Sequence, residues 1–383
     1  MNEVAIVGIG MHPFGRHNLT GMEQGAVAAR AACKDAGLEW SDIEFAVGGS
    51  SAAGNPDKMV SMLGLTGLQF VNVNNGCATG GTALSQACAM IQAGMYDVGI
   101  AIGFDKHPRG AFASNEPVHP TDGGADWYGG SGMAINPQFF SIKINRYMEQ
   151  HGISHQTLAR VAAKATRNGS MNPMAWRRKA FTEDEVLQSQ MLAYPLTQYM
   201  FCSPGEGGVA LVVCRAELAH KYTSKPIFVK AAVMRSRRFG SFEVKTSWLP
   251  KENEVGPTVD ASKTAFEQAG VGPKDIDVAQ LQDTESGAEI MHMAENGFCE
   301  DGEQEDLIAR GETEIGGSFP VNTDGGCIAN GEPIGASGLR QIYENVLQLR
   351  GQAKARQVPG DPQLAYTHVY GAPGISGVTI LSR

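Results

Sequence analysis

The chain opens on an unbroken apolar run at residues 4–8, with no polar alternation, the pattern of a strand buried on both faces. An alanine-rich helical stretch follows at 22–36 and stops at Gly37. Further apolar strands are predicted at 43–48 and 68–73, the latter ending in a tight turn at Asn74, Asn75 and Gly76. A small-residue helix is predicted over 83–93. Strands at 97–103, 209–214, 226–234 and 377–381 complete an alternating α/β pattern.

The pattern repeats. Residues 28–47 read A-A-R-A-A-C-K-D-A-G-L-E-W-S-D-I-E-F-A-V, and residues 261–280 read A-S-K-T-A-F-E-Q-A-G-V-G-P-K-D-I-D-V-A-Q. At a constant offset, 261 − 28 = 233, Ala28/Ala261, Ala32/Ala265, Ala36/Ala269, Gly37/Gly270, Asp42/Asp275, Ile43/Ile276 and Ala46/Ala279 coincide. Each copy is a helix, a glycine stop, an acidic turn and a buried strand, so an internal duplication is predicted. The halves are residues 1–225 and 226–383. Each carries a glycine-rich loop opening a helix: N-N-G-C-A-T-G-G-T-A-L in the first half and N-G-E-P-I-G-A-S-G-L, residues 330–339, in the second. Residues 105–200 have no counterpart in the second half. This insert is rich in Gly, Asn, Pro and aromatics, including W-Y-G-G-S-G at 127–132, and reads as a loop domain capping a site.

Composition narrows the class. A chain of 383 residues buries a large core, and 42% hydrophobic with 19% charged residues is ordinary for a globular protein. The formal charge of −9 argues against a nucleic-acid surface. An anionic ligand would need a local basic patch, and W-R-R-K at 176–179 and R-S-R-R at 235–238 are candidates. Seven cysteines show no C-x-x-C spacing and no metal pattern with histidine, as expected of a reducing cytoplasm. No apolar run reaches the ~18 residues of a membrane span, and the N-terminus lacks the basic region of a signal peptide. G-I-G at 8–10 follows a strand, but its third glycine falls at Gly15 and no helix opens there, which excludes a nicotinamide fingerprint.

Cys77 is the first candidate for chemistry. It sits where a strand ends and a helix begins, and unpaired N–H groups and the helix dipole there stabilise a thiolate. Glycines at 76, 80 and 81 are read as allowing a sharp turn and a close substrate approach. The alternative is a small buried apolar residue, as many free cysteines are.

N-N-G-C-A-T-G-G-T-A-L, N-T-D-G-G-C-I-A-N-G-E-P-I-G-A-S-G-L-R-Q, the terminal H-V-Y-G-A-P-G-I-S-G and the duplicated halves resemble the thiolase superfamily over essentially the whole chain, in its sterol-carrier and lipid-transfer branch. The resemblance implies a five-layer α-β-α-β-α fold, a homodimer and an acyl-CoA substrate under the insert. It implies no cofactor, since the CoA thioester is itself the substrate. Cys77 holds the place of the family's nucleophile. Its helpers have changed. Where the family has a G-H-P histidine this chain has Gly331, Glu332 and Pro333. Where the family has a second cysteine, the run His368, Val369, Tyr370, Gly371 puts Tyr370 at or beside that place. A motif similar to H-D-C-F has become Gln282, Asp283, Thr284, Glu285.

A retro-aldol cleavage keeps an acyl-CoA site and dispenses with the acyl-enzyme. A base takes the β-hydroxyl proton, the Cα–Cβ bond breaks, and donors hold the thioester enolate. The pattern is similar to the thiolase-like aldolases that remove steroid side chains, releasing propionyl-CoA from a 17-hydroxy C22 steroid CoA ester and leaving a 17-ketosteroid. That family works with a small OB-fold partner carrying a zinc ribbon, which implies a heterotetramer. The resemblance carries Tyr370, Glu332, His368, Asp283 and Cys77 over as site candidates. Glu332 is expected to be an ionised carboxylate at a helix N-terminus. Tyr370 and His368 are alternatively a plain buried tyrosine and a satisfied core histidine. Two other functions stay open: a thiolase acting through Cys77, and a non-catalytic acyl-CoA or lipid-binding subunit.

Overall fold

Gly37 and Gly270 end equivalent helices 233 positions apart. Gly21–Ala36 stops at Gly37 (φ 67°) and Pro257–Ala269 at Gly270 (φ 68°), both left-handed caps that favour glycine. A single 3₁₀ turn follows each, at Trp40–Asp42 and Pro273–Asp275, and then a buried strand. The repeat read in the sequence is therefore two copies of one structural unit. The first copy's helix begins at a capping box, with Thr20 accepting from Glu23 N and the Glu23 carboxylate returning to Thr20 N.

The chain's structure is a computed structural model, which describes residues 3–109, 132–133, 135–241, 254–372 and 374–383. Its strands are β1 (Val4–Gly15), β2 (Phe45–Gly49), β3 (Gln69–Val73), β4 (Val98–Lys106), β5 (Met191–Ala193), β6 (Leu196–Thr197), β7 (Glu206–Arg215), β8 (Ile227–Ser236), β9 (Val278–Leu281), β10 (Leu364–Gly371) and β11 (Ile375–Ser382). Nine form one mixed sheet in the order β3-β2-β4-β7-β1-β8-β11-β10-β9, and β5 and β6 form a separate hairpin. Read outward from the middle, β1-β7-β4-β2 mirrors β8-β11-β10-β9. The first strands of the two halves pair antiparallel, Val4 with Val229 and Ile6 with Ile227, so the half-sheets join edge to edge.

The layers follow from which helix packs on which strands. Gly21–Ala36 covers β1, β4 and β7, and Pro257–Ala269 covers β8 and β11. Thr79–Gln92 and Ser337–Leu349 pack on each other and on strands of both halves, so they fill the middle. This is the expected α-β-α-β-α arrangement. Glycine permits its close spacing. A Cβ at Gly80 would stand 2.7 Å from Leu339 N, and one at Gly338 2.8 Å from Gly81 N. Gly80 thus serves the crossing of the two central helices, and Gly81 the packing against β10, where a Cβ would stand 2.8 Å from Val369 Cγ1; Gly76 (φ 55°) makes the turn before Cys77.

One reading changes. Residues 110–131 and 134 of the insert, including most of the W-Y-G-G-S-G run, lie outside the described residues. The part after them is not a loop. It carries the helices Asn136–His151 and His155–Ser170, the second capped by Ser154 and burying Leu158, Val161, Ala162 and Ala165. The Gly and Asn content that suggested a loop concealed this helical spacing. The terminal run His368–Gly371, given no element by the sequence pattern, is the end of β10, between β9 and β11. Among the described residues β3 pairs only with β2 and is an edge strand.

Candidate functional site

Cys77 lies in the turn between β3 and the helix Thr79–Gln92. Local hydrogen bonds hold that turn: Thr79 Oγ1 donates to Gly76 O (2.6 Å), and Asn75 N donates to Thr79 Oγ1 (2.9 Å). Asn75 Nδ2 reaches Thr82 Oγ1 at 2.9 Å. The turn rests on the end of β10, where a Cβ at Gly371 would stand 2.5 Å from Asn75 O. Cys77 is half-buried.

Glu332 meets it. Glu332 lies in the loop between Gly326–Asn330 and Ser337–Leu349, and its N–H donates to Ser203 O at 2.9 Å. Its carboxyl accepts from the Cys77 thiol, from Gln282 Nε2 (2.5 Å) and from Cys202 Sγ (3.4 Å). The side chain is buried, and burial pushes its pKa up against those three hydrogen bonds. The expected placement at a helix N-terminus is corrected: Glu332 belongs to no helix, and desolvation shifts its pKa upward, with the three hydrogen bonds and Arg340 opposing.

Gln282 and Cys202 were not among the sequence candidates. Gln282 Oε1 is buried with no partner among the described residues. Cys202 donates its backbone N–H to Thr284 O (2.9 Å), and burial, then Glu332, holds its thiol well above the ordinary range. No motif announces Cys202, because only the fold brings residues 202, 282, 284 and 332 together.

Asp283 does other work. It is wholly buried, and its carboxylate accepts from Cys327 N (2.6 Å) and Ile328 N (3.4 Å), capping the short helix Gly326–Asn330. Burial raises its pKa, with Arg340 opposing. Both oxygens are occupied by backbone, so the assignment of Asp283 to the site is corrected to a structural role.

His368 and Tyr370 share the face of β10 that also carries Tyr366, as alternate residues of a strand must. His368 Nε2 bonds Ser376 Oγ (2.9 Å) and Thr258 Oγ1 (3.2 Å), and burial, then His292, drives its pKa well below the ordinary value. A cation beside Tyr370 is Lys143, whose Nζ stands 5.6 Å from the centre of the Tyr370 ring. Tyr370 is buried in an apolar cluster with Phe140, Ile144, Phe201 and Cys202.

A cleft of about 480 Å³ leads toward Cys202, lined by Arg16, Arg109, Trp176, Arg177, Cys202 and Ser203 among others. Arg177 donates to Phe201 O (3.0 Å), Ile328 O (2.9 Å) and Ser203 Oγ (2.7 Å), so it shapes the wall. In the other basic run Arg235 and Arg238 both turn toward Asp260, at 3.8 and 2.9 Å. Among the described residues no cluster of His, Cys, Asp and Glu could hold a metal ion, and no described helix is long and apolar enough to cross a membrane.

Comparison with known proteins agrees over the whole chain. Residues 4–205 match the family described as thiolase, N-terminal domain, and residues 250–383 match thiolase C-terminal domain-like. Sterol carrier protein 2 of Bos taurus is 32% identical over 394 residues, covering 99% of this chain and 72% of that protein. The acetyl-CoA acetyltransferase of Methanothermobacter thermautotrophicus is 32% identical over 393 residues, covering 100% of both. The solved Ltp2-ChsH2(DUF35) aldolase superposes with a TM-score of 0.85 at 26% identity, covering 100% of this chain and 98% of that one. Human mitochondrial 3-ketoacyl-CoA thiolase shares the fold, with a TM-score of 0.72 at 14% identity and coverage of 100% and 98%. The chain belongs to the thiolase superfamily.

Proposed function

We propose that this protein is a thiolase-like aldolase that cleaves a β-hydroxyacyl-CoA by a retro-aldol reaction. The observation that carries the proposal is the hydrogen bond from the Cys77 thiol to the Glu332 carboxyl. An imidazole that deprotonates a thiol leaves an ion pair of opposite charges, which holds the thiolate. A carboxylate that did so would only pass its negative charge to sulfur. Covalent acyl transfer through Cys77 thus lacks the ion pair that would hold its nucleophile.

In this reading Glu332 takes the β-hydroxyl proton, Tyr370 serves the enolate carbon, and Cys77 shapes the pocket. His368 supports β10 from behind Tyr370. The substrate class is a bulky β-hydroxyacyl-CoA, for which the resemblance indicates a 17-hydroxy C22 steroid CoA ester giving a 17-ketosteroid and propionyl-CoA. The aldolase among the structural relatives supports the reaction, and the second component in its name supports a partner protein, here a small OB-fold protein with a zinc ribbon. The test is product analysis by mass spectrometry from a panel of β-hydroxyacyl-CoA esters, with and without that partner. Ketone plus a shortened acyl-CoA supports the proposal; acyl transfer to free CoA overturns it.

One observation favours a second reading. Cys77 lies two residues before the helix Thr79–Gln92, where the helix dipole assists a thiolate, and acetyl-CoA acetyltransferases are among the relatives. A thioester trapped on Cys77 would establish that reading.

A further inference from the structure

A second group of buried and half-buried titratable side chains lies against the face of β10 that carries His368 and Tyr370. His292 and Glu295 sit one turn apart on the helix Ser286–Glu295, and His292 Nδ1 bonds Glu295 Oε2 at 2.6 Å. Lys143 enters from the helix Asn136–His151 and pairs with Glu295 Oε1 at 3.3 Å. The His292 ring lies 4.4 Å from that of His368 and 5.8 Å from that of Tyr370, centre to centre. Glu285, at the start of the same helix, also feels the Lys143 charge. Its Oε1 is fully buried with no partner among the described residues. Collecting ionisable groups in a desolvated place costs stability, and such clusters concentrate at functional sites.

We propose that His292 is a positioning residue for proton transfer at Tyr370, with Nδ1 held by Glu295 and the phenolate form of Tyr370 held by Lys143. The proposal rests on the retro-aldol reading. Cleavage of Cα–Cβ leaves an electron pair on the thioester enolate. The Tyr370 O–H bond breaks and its proton forms the new Cα–H bond, leaving a phenolate beside the Lys143 ammonium. The His292 imidazole takes a proton from solvent, Glu295 offsetting the transient charge, and passes it to the phenolate, which balances the β-hydroxyl proton that Glu332 takes and releases. A carboxylate on Nδ1 fixes the tautomer, so the far nitrogen does the transfer.

The groups facing His292 are Glu295 on its own helix, Lys143 on the neighbouring helix, and His368 and Tyr370 on β10, with Glu285 beyond Lys143. Burial lowers the His292 pKa and Glu295 raises it. Removing the carboxylate must therefore move the imidazole's titration to lower pH.

The test uses the full chain with its partner and propionyl-CoA in D₂O, reading deuterium uptake at the α-carbon by mass spectrometry. This isolates proton transfer from C–C cleavage. The expected result is exchange in the parent, its loss in Tyr370→Phe, and a fall of about tenfold or more in His292→Gln and in Glu295→Gln, the lower part of the range for one acid–base group. In Glu295→Gln the inflection of exchange against pH shifts to lower pH, which a merely structural role would not move. Exchange within threefold of the parent in both variants, with an unmoved inflection, overturns the relay alone. Absence of exchange in the parent overturns the retro-aldol reading on which it rests.

Discussion

The Cys77 thiol donates its hydrogen bond to the buried carboxyl of Glu332, which also accepts from Cys202 and Gln282. Two thiols and an amide converge on one acid. Cys77 is thereby a hydrogen-bond donor to its neighbour.

Cys77→Ala is expected to keep substantial activity on a β-hydroxyacyl-CoA. It removes one hydrogen bond to Glu332 and no covalent step. Steady-state kinetics checks this. A loss beyond ~10³-fold, the scale of a deleted covalent nucleophile, would restore acyl transfer.

Glu332→Gln and Tyr370→Phe are each expected to lower kcat by at least ~10²-fold, the range for loss of one acid–base group. Both keep side-chain shape, so the melting temperature should change little. If both variants turn over at close to the parent rate, the assignment of base and acid fails.

Glu285 and His368 give stability opposite pH dependences. Burial pushes Glu285 up to about 8 from an ordinary 4.5, so the stability it contributes is full below 4.5 and lost as pH rises toward 8. Glu285→Gln should therefore raise the melting temperature relative to the parent at pH 8.5 and less, or not at all, at pH 5. His368 is depressed well below 6.5, so its contribution is full above that value and lost as pH falls below it. Parent and variant melting curves across pH 5 to 8.5 check both signs; a Glu285→Gln effect independent of pH would contradict the first.

Gly338→Ala is expected to destabilise the fold by about 1–3 kcal/mol, the usual effect of overpacking a tight core. Its new Cβ would meet backbone at 2.8 Å, and neither central helix has a flexible side chain there to yield. Equilibrium denaturation measures it, and an unchanged midpoint would show that the helices separate freely.

Among the described residues β3 leaves one edge unpaired, and Leu65, which precedes it, is 85% exposed. Isologous pairing through that edge would cover it. A homodimer is expected by sedimentation, a heterotetramer when the partner is present. A stable monomer at micromolar concentration would count against this.

The duplication was legible in the sequence because it depends on local chemistry. Alanine spacing, a left-handed glycine at 37 and 270, and apolar runs are properties of neighbours along the chain, and they mark the same elements in both halves. The position of Cys77 at a strand-to-helix turn was legible for the same reason. The upward pKa shift of Glu332, the downward shift of His368, the capping role of Asp283, and the cluster of Lys143, His292 and Glu295 were not. Each depends on desolvation and on partners far away in sequence, 50 residues for Gln282 and Glu332 and 152 for Lys143 and Glu295. A carboxyl's charge is decided by what surrounds it, and only the tertiary structure supplies those surroundings.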